Sequence, residues 1–425
     1  MKTIRIGSGD GYAGDRLEPS LELIEKGNLD YISYECLAER TIAIGQQAKL
    51  KDPTKGYNGL LEYRMEKALP LAWKHKVKII TNMGSANPQA AAQKCVEIAR
   101  RHGLDGMKIA CVTGDDILPI IDRYMDTEVW ETHEPLSKLP GKIVSANAYL
   151  GVEGIVKALE QGADVVITGR VSDPAIFMAP IIYEFGWKED DWDKLGKGTM
   201  IGHLLECGGQ GAGGNFLYDW RSVPRMDELG FPIAEVTEDT LHITKAPDCG
   251  GLISEQSVKE QFLYEVHDPA NYIPPDVTVD ISHATIRNAG PDRVEVGGIK
   301  GKAAPEKLKL SLGYHAGYKV VTYLPFGWPD AYEKAKYCGE LIMKKMARLG
   351  MKADDIHISY IGLNALHLGV ADMSEEQLKN LNECVLRIAV FSEDKAECAK
   401  IIPEISPMQL NGPPGASFFG GRAHV

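Results

Sequence analysis

Short apolar runs alternate with amphipathic stretches through the first half of the chain. "TIRI" precedes "PSLELIEKGN", and "LDYISYECL" precedes "AERTIAIGQQAKLK" and "YNGLLEYRMEKALPLAWKHK". "VKIITNMG", "MKIACVTGDD", "KIVSANAYLG" and "ADVVITGR" are each followed by a helical pattern. Strands apolar on both faces, alternating with helices, predict a parallel sheet covered by helices. After about Trp220 the pattern changes. "VTVDISHATIRNAGPDRVEVGGIKG", "KLKLSLGYH" and "GYKVVTYLPFG" alternate apolar and polar positions, as half-buried strands do. The expected fold is α/β: a Rossmann-like, mostly parallel sheet domain over residues 1–230, then a smaller α+β domain over 231–425 with a Gly/Pro-rich tail.

The first strand runs into "GSGDGYAGDR", where Gly9, Asp10, Gly11, Tyr12, Ala13 and Gly14 spell a dinucleotide-binding pattern. That fingerprint requires a helix opening at its second glycine, with its N-terminus on the pyrophosphate. Pro19 suits a first helical position instead, with "LELI" behind it. The late helix start disfavours a nicotinamide site and leaves two readings. The loop either cradles a carboxylate or phosphate on its backbone N–H groups or is a turn needing positive φ.

Ligands of open α/β sheets sit beyond the carboxyl ends of the strands, and those ends are polar here. The first carries Ser8, Asp10, Asp15 and Arg16, the second Glu35, and the third Asn82, Ser85 and Asn87. The fourth carries Thr113, Asp115 and Asp116, the fifth Asn147 and Tyr149, and the sixth Thr168, Arg170, Ser172 and Asp173. Asn87, Asp116 and Asp173 equally suit helix caps. Arg170 is the most pointed, because its planar fork matches a carboxylate or phosphate; an ion pair with Asp173 or Asp115 is the structural alternative. A second glycine-rich feature, "GHLLECGGQGAGGN" at 202–215, places Glu206 three and Cys207 four residues after His203. Such spacing shares a helix face and suits a Cys–His pair, a His–Glu pair or a buried thiol. Gln210 and Asn215 lie among glycines, where a ligand can come close to the backbone.

Composition narrows the partners. The 425 residues carry a formal net charge of -12 and no basic run, which disfavours nucleic acid. No stretch reaches the ~20 apolar residues of a membrane span, and the N-terminus lacks a signal peptide's apolar core, so a cytoplasmic protein is expected. The eight cysteines form no C-x-x-C pair and the eleven histidines no H-x-x-x-H helix, so no metal or disulfide framework is expected. Neither a G-x-x-x-x-G-K-[ST] loop nor a G-x-S-x-G elbow is present.

Seven stretches in order, "GDGYAGDR", "TNMGSANP", "NAYLGVEGIVKALEQGADVVITGRVSDPA", "GHLLECGGQGAGGN", "LYEVHDPANYIPPDV", "GPDRVEVGGIKG" and "NGPPGASFFGGR", resemble the acyclic terpene utilisation (AtuA-like) family. The resemblance implies a cytoplasmic bacterial protein of branched acyclic acid catabolism, often working on CoA thioesters. Longer members look like this chain plus a small C-terminal domain, which implies a separately encoded small subunit here. No catalytic residue carries over. The expected function is a lyase, hydratase or isomerase acting on a small branched or unsaturated carboxylate or its CoA thioester, without a cofactor. An acyl or CoA transferase and a non-catalytic ligand-binding subunit are the alternatives. Glu206, Asp10, Asp15 and Cys207 are the candidate catalytic residues. Gly9, Gly11, Arg16, Asn82, Asn147, Thr168, Arg170, Asp173, Gln210 and Asn215 are the candidate substrate contacts. The expected partners are a small anionic substrate and further copies of the chain.

Overall fold

A computed structural model describes residues 2–367 and 373–417. It divides into two compact units, one spanning residues 1–139 and 143–314 and the other 140–142 and 315–425. The division falls at 314/315 rather than near 230. The strands at 232–236, 241–245, 285–290 and 293–297 explain the difference, because they extend the first sheet instead of founding a new domain.

The first unit is built on nine strands: β1 (Ile4–Asp10), β2 (Tyr31–Tyr34), β3 (Lys78–Thr81), β4 (Ile109–Val112), β5 (Val165–Thr168), β6 (Pro232–Val236), β7 (Leu241–Lys245), β8 (Thr285–Gly290) and β9 (Arg293–Gly297). Their order is β8-β9-β7-β6-β1-β2-β3-β5-β4. The β1-β2-β3-β5-β4 block is parallel, while β6 to β9 pair antiparallel. The sheet is therefore mixed. In a Rossmann sheet the first strand lies between two parallel neighbours where the strand order reverses. Here antiparallel β6 occupies one side of β1, which removes that crevice and corrects the Rossmann-like expectation. The stretch Lys142–Ala148, expected as a strand of the main sheet, lies in a separate two-stranded sheet.

Alternation along the strands fills two cores. Ile4, Ile6, Tyr31, Ile80 and Val166 face one layer, with α5 (Glu153–Glu160), α6 (Ala175–Phe185), α7 (Trp192–Leu205) and α8 (Glu255–Leu263). Ile32, Tyr34, Ile79, Val165 and Ile167 face the other, with α1 (Glu18–Lys26), α3 (Leu61–His75) and α4 (Pro88–Arg101). β2 and β5 are buried at every position, as expected of a sheet covered on both faces. α1 opens at Glu18 with proline in its first turn, and Asn87 caps α4 by accepting from the Ala90 N–H.

In the second unit, β10 (Tyr318–Gly327), β11 (Asp355–Ile361) and β12 (Glu383–Ser392) form an antiparallel sheet with β12 in the middle. α9 (Ala331–Arg348) covers it through Ala335, Cys338, Ile342 and Met346. The expectations for the extreme tail, residues 418–425, lie outside the described residues.

The glycines of the first motif serve packing. β1 continues through Gly7 and Gly9 to Asp10, and a Cβ at Gly9 would come within 2.7 Å of the Tyr34 ring. A Cβ at Gly11 would land on the Cys207 carbonyl and 2.7 Å from the Gly208 nitrogen. Gly208 has φ +54 and approaches Gly11 in return. The two glycine-rich stretches therefore lie backbone against backbone, and Gly9 and Gly11 leave room for protein rather than ligand. Gly11→Ala should cost about 1–3 kcal/mol, because neither backbone can yield. Gly14→Ala meets only the edge of exposed Tyr12 and should be near neutral. Urea denaturation of both variants checks this, and a Gly11→Ala protein as stable as the parent refutes the packing account.

Candidate functional site

The polar strand ends gather on the first unit, though not all in one place. Glu35 follows β2, Asn82 follows β3, and Arg170 and Asp173 follow β5. α7 delivers His203, Glu206 and Cys207 from its last turn. Electrostatic coupling links this group: Glu35 feels Asp173 and Arg170, Asp173 feels Glu206, and Cys207 feels Glu206 and Glu35.

Arg170 has no exposed surface. Its Nε donates to the Val171 carbonyl at 2.8 Å, Nη1 to the Leu37 carbonyl and Nη2 to Asp173. The guanidinium lies 4.4 Å from the centre of the Tyr149 ring and 4.0 Å from Glu35 Oε1. Its fork is engaged by protein, so Arg170 holds the rim rather than offering an open anion site. Its backbone N–H donates to Asp115, which also accepts from Asn147 Nδ2 at 2.9 Å. Asn147 thus supports the Arg170 turn from behind. Thr168 is buried and donates to the Gly169 carbonyl.

Asp173 leaves 38% of its side chain open, yet burial pushes its carboxyl up to about 6. Arg170 opposes the rise and the Glu206 charge adds to it. Desolvation there outweighs the ion pair with Arg170. Glu35 is lifted well above the usual carboxylate range by burial and by Asp173. It accepts from Asn82 Nδ2 at 2.7 Å and from the Leu37 N–H at 3.1 Å.

His203 and Glu206 form a buried pair, Nδ1 to Oε1, at 2.8 Å. His203 is raised above its ordinary value: burial opposes the charged form, but the adjacent Glu206 carboxylate prevails. His203 Nε2 and Glu206 Oε2 are buried without a hydrogen-bond partner among the described residues. Burial and Glu206 push the Cys207 thiol upward; of the readings open for this stretch, the His–Glu pair forms, and the acidic surroundings disfavour a Cys207 thiolate. Gln261 donates to the His203 carbonyl at 2.8 Å and accepts from Gln210 at 2.9 Å. Asn215 donates to Gln210 at 3.1 Å. Gln210 and Asn215 are links in an amide chain that fastens the glycine turn to the end of α7.

Residues Asp10, Asp15 and Arg16 have other duties. Asp15 accepts from the Gly11 and Arg16 N–H groups, and Arg16 donates to the Asp227 and Leu229 carbonyls. Asp10 is fully buried, 2.6 Å from Arg64, which is itself almost wholly buried. Neither Asp10 oxygen takes an aligned hydrogen bond, and burial holds its carboxyl well above the usual range against the pull of Arg64.

Sequence reasoning missed Tyr272 and Gln261 and gave Glu35 little weight. The Tyr272 ring centre lies 5.7 Å from that of His203, and its backbone is fixed by reciprocal bonds with Val279. Burial, Glu206 and Asp173 all push its phenol up. "PANYIPPDV" marks the segment but not the role of its tyrosine. Among the described residues, no group of three or more His, Cys, Asp or Glu is placed to hold a metal ion, and no helix is long and apolar enough to cross a membrane.

The Asp10–Arg64 pair yields a stability test. Arg64→Met leaves a buried carboxylate uncompensated and should cost about 3–5 kcal/mol at neutral pH. Asp10 is raised in the folded state, so a protonated Asp10 favours folding at low pH and that benefit is lost as pH rises through its folded value. The Arg64→Met deficit should therefore shrink on acidification, and Asp10→Asn added to Arg64→Met should recover much of it. Urea unfolding at several pH values reads both, and a pH-independent deficit rules the account out.

No curated protein and no solved structure matches the chain. The family model described as "Acyclic terpene utilisation family protein AtuA" matches residues 4–424, nearly the whole length. The chain belongs to the acyclic terpene utilisation (AtuA) family.

Proposed function

We propose that the chain is a catabolic enzyme that adds, removes or relocates a proton or water at a small branched or unsaturated acyl compound, a carboxylate or its CoA thioester. The observation that carries this reading is a carboxyl and an imidazole that share Glu206 as a neighbour: Asp173 feels its charge, and His203 pairs with it at 2.8 Å. Asp173 is an open carboxyl whose value of about 6 leaves it mostly ionised at neutral pH. His203 is an imidazole that Glu206 favours in its protonated form, with a buried Nε2 that has no hydrogen-bond partner among the described residues. A base ionised above 6 and an acid protonated above the usual histidine range suit proton transfer near neutrality. Asp173 takes the proton in this scheme, and His203 delivers one to the leaving hydroxyl or to carbon. Glu206, the foremost sequence candidate, acts by keeping the imidazole charged and oriented. Family membership supports acyclic terpene utilisation as the setting.

This scheme fixes the expected pH dependence. Turnover of branched, unsaturated acyl-CoA thioesters, followed by mass spectrometry in H2(18)O and D2O, should rise as pH increases through about 6. It should fall again above the raised value of His203. Asp173→Asn should lower the rate about 10²–10⁴-fold with the fold intact by circular dichroism. Glu206→Gln removes the charge that raises His203, so the alkaline fall should move to lower pH. Full turnover in both variants would make the chain a binding subunit and end the catalytic reading.

A further inference from the structure

We propose that Tyr272 is a further catalytic residue of this rim, whose phenol O–H holds the carbonyl oxygen of a neutral, enolisable acyl group. The inference deepens the acid–base reading given above and rests on it. Three observations carry it. The Tyr272 ring packs at a tilt against His203, the imidazole with the unpartnered Nε2. Its main chain is locked on both sides, with Tyr272 N–H to the Val279 carbonyl at 2.9 Å and Val279 N–H to the Tyr272 carbonyl at 2.7 Å. The half-buried side chain faces the charges of Glu206, Asp173 and Glu265 and the Cys207 thiol, and its hydroxyl makes no hydrogen bond within the described protein. A phenol set firmly among acids, with an unused O–H, is a donor waiting for an acceptor.

The surroundings also select the acceptor. Glu35, Asp173 and Glu206 bring carboxyls to the rim, while the fork of Arg170 is already engaged. A free carboxylate would bring a full negative charge among these acids, with the Arg170 fork already taken. A thioester or ketone carbonyl arrives neutral and acquires charge only as it reacts. When Asp173 removes a proton from the carbon beside that carbonyl, the C–H electron pair becomes a C=C bond. The C=O π pair moves onto oxygen, and Tyr272 donates its hydrogen bond there without releasing its proton. His203 then returns a proton to carbon, or to a departing hydroxyl. The surrounding acids push the phenol up, so it donates a hydrogen bond rather than ionising. A preorganised donor of this kind acts where charge develops.

4-Nitrophenolate serves as an enolate mimic that needs no knowledge of the substrate. It should bind the whole protein at a pH above the free phenol's own titration, where it is already the visible-absorbing anion. Tyr272→Phe keeps the ring on His203 and removes only the hydroxyl, and it should weaken this binding at least tenfold. The same change should lower thioester turnover by about 10²–10³-fold with KM little altered. Tyr218→Phe, at a tyrosine 77% exposed, should change neither. Absence of nitrophenolate binding, or equal binding by Tyr272→Phe, overturns the proposal. Loss of turnover in Asp173→Asn alongside normal binding and turnover in Tyr272→Phe leaves the acid–base reading standing and removes this one. Nitrophenolate binding lost in Tyr272→Phe, with no thioester ever turned over, does the reverse.

Discussion

A guanidinium with no exposed surface holds this rim together. Moving such an ion out of water carries a penalty of several kcal/mol even after relaxation, so Arg170 requires partners on every side. It has them in the Leu37 and Val171 carbonyls, the Asp173 carboxylate and the face of Tyr149. Those partners come from the ends of different strands, so placing one cation fixes the turn after β2, the turn after β5 and the stretch around Tyr149 together. Asp115 extends the constraint by accepting from the Arg170 N–H and from Asn147. Arginine suits this position because its fixed fork meets several acceptors at once, where an ammonium presents a single point.

The second constraint is steric. Asp10 and Gly11, at the end of β1, lie against the Cys207–Gly208 backbone with no room for a Cβ. That contact holds the end of α7, and with it His203 and Glu206, at the edge of the parallel block. The amide chain from Asn215 through Gln210 and Gln261 to the His203 carbonyl fastens the same turn from its other side. The glycines and amides of the 208–215 stretch thus position the imidazole.

These two constraints explain which parts of the site were legible in the sequence. Polar residues after β2, β3 and β5, and the His203–Glu206 spacing, could be read because strand ends and helix faces follow from local pattern. The late start of α1 could be read from Pro19, which sits in its first turn. The partners of Arg170 could not be read, since they are two backbone carbonyls and a ring brought together only by folding. For the same reason Arg16 resembled an anion ligand in the sequence, although it binds the Asp227 and Leu229 carbonyls. A glycine that admits ligand and one that admits a neighbouring backbone have the same sequence signature, so Gly9 and Gly11 could be resolved only in three dimensions. The α/β character followed from pattern, whereas the antiparallel β6 to β9 extension depended on long-range pairing that alternation alone does not specify.

Charge balance ties the rim to its chemistry. Arg170 faces Asp173, and protonated His203 faces Glu206, so two ion pairs cancel. Glu35 is a further acid beside them, and burial together with Asp173 holds it well above the ordinary carboxylate range. Asn82 and the Leu37 N–H secure its Oε1. Ionising Glu35 would add a net negative charge beside Asp173, which would raise Asp173 further and weaken it as an ionised base at neutral pH. The upward shift of Glu35 thus favours an ionised Asp173 beside it. A reactant that arrives neutral preserves this balance, and one that arrives as an anion disturbs it before any bond has changed.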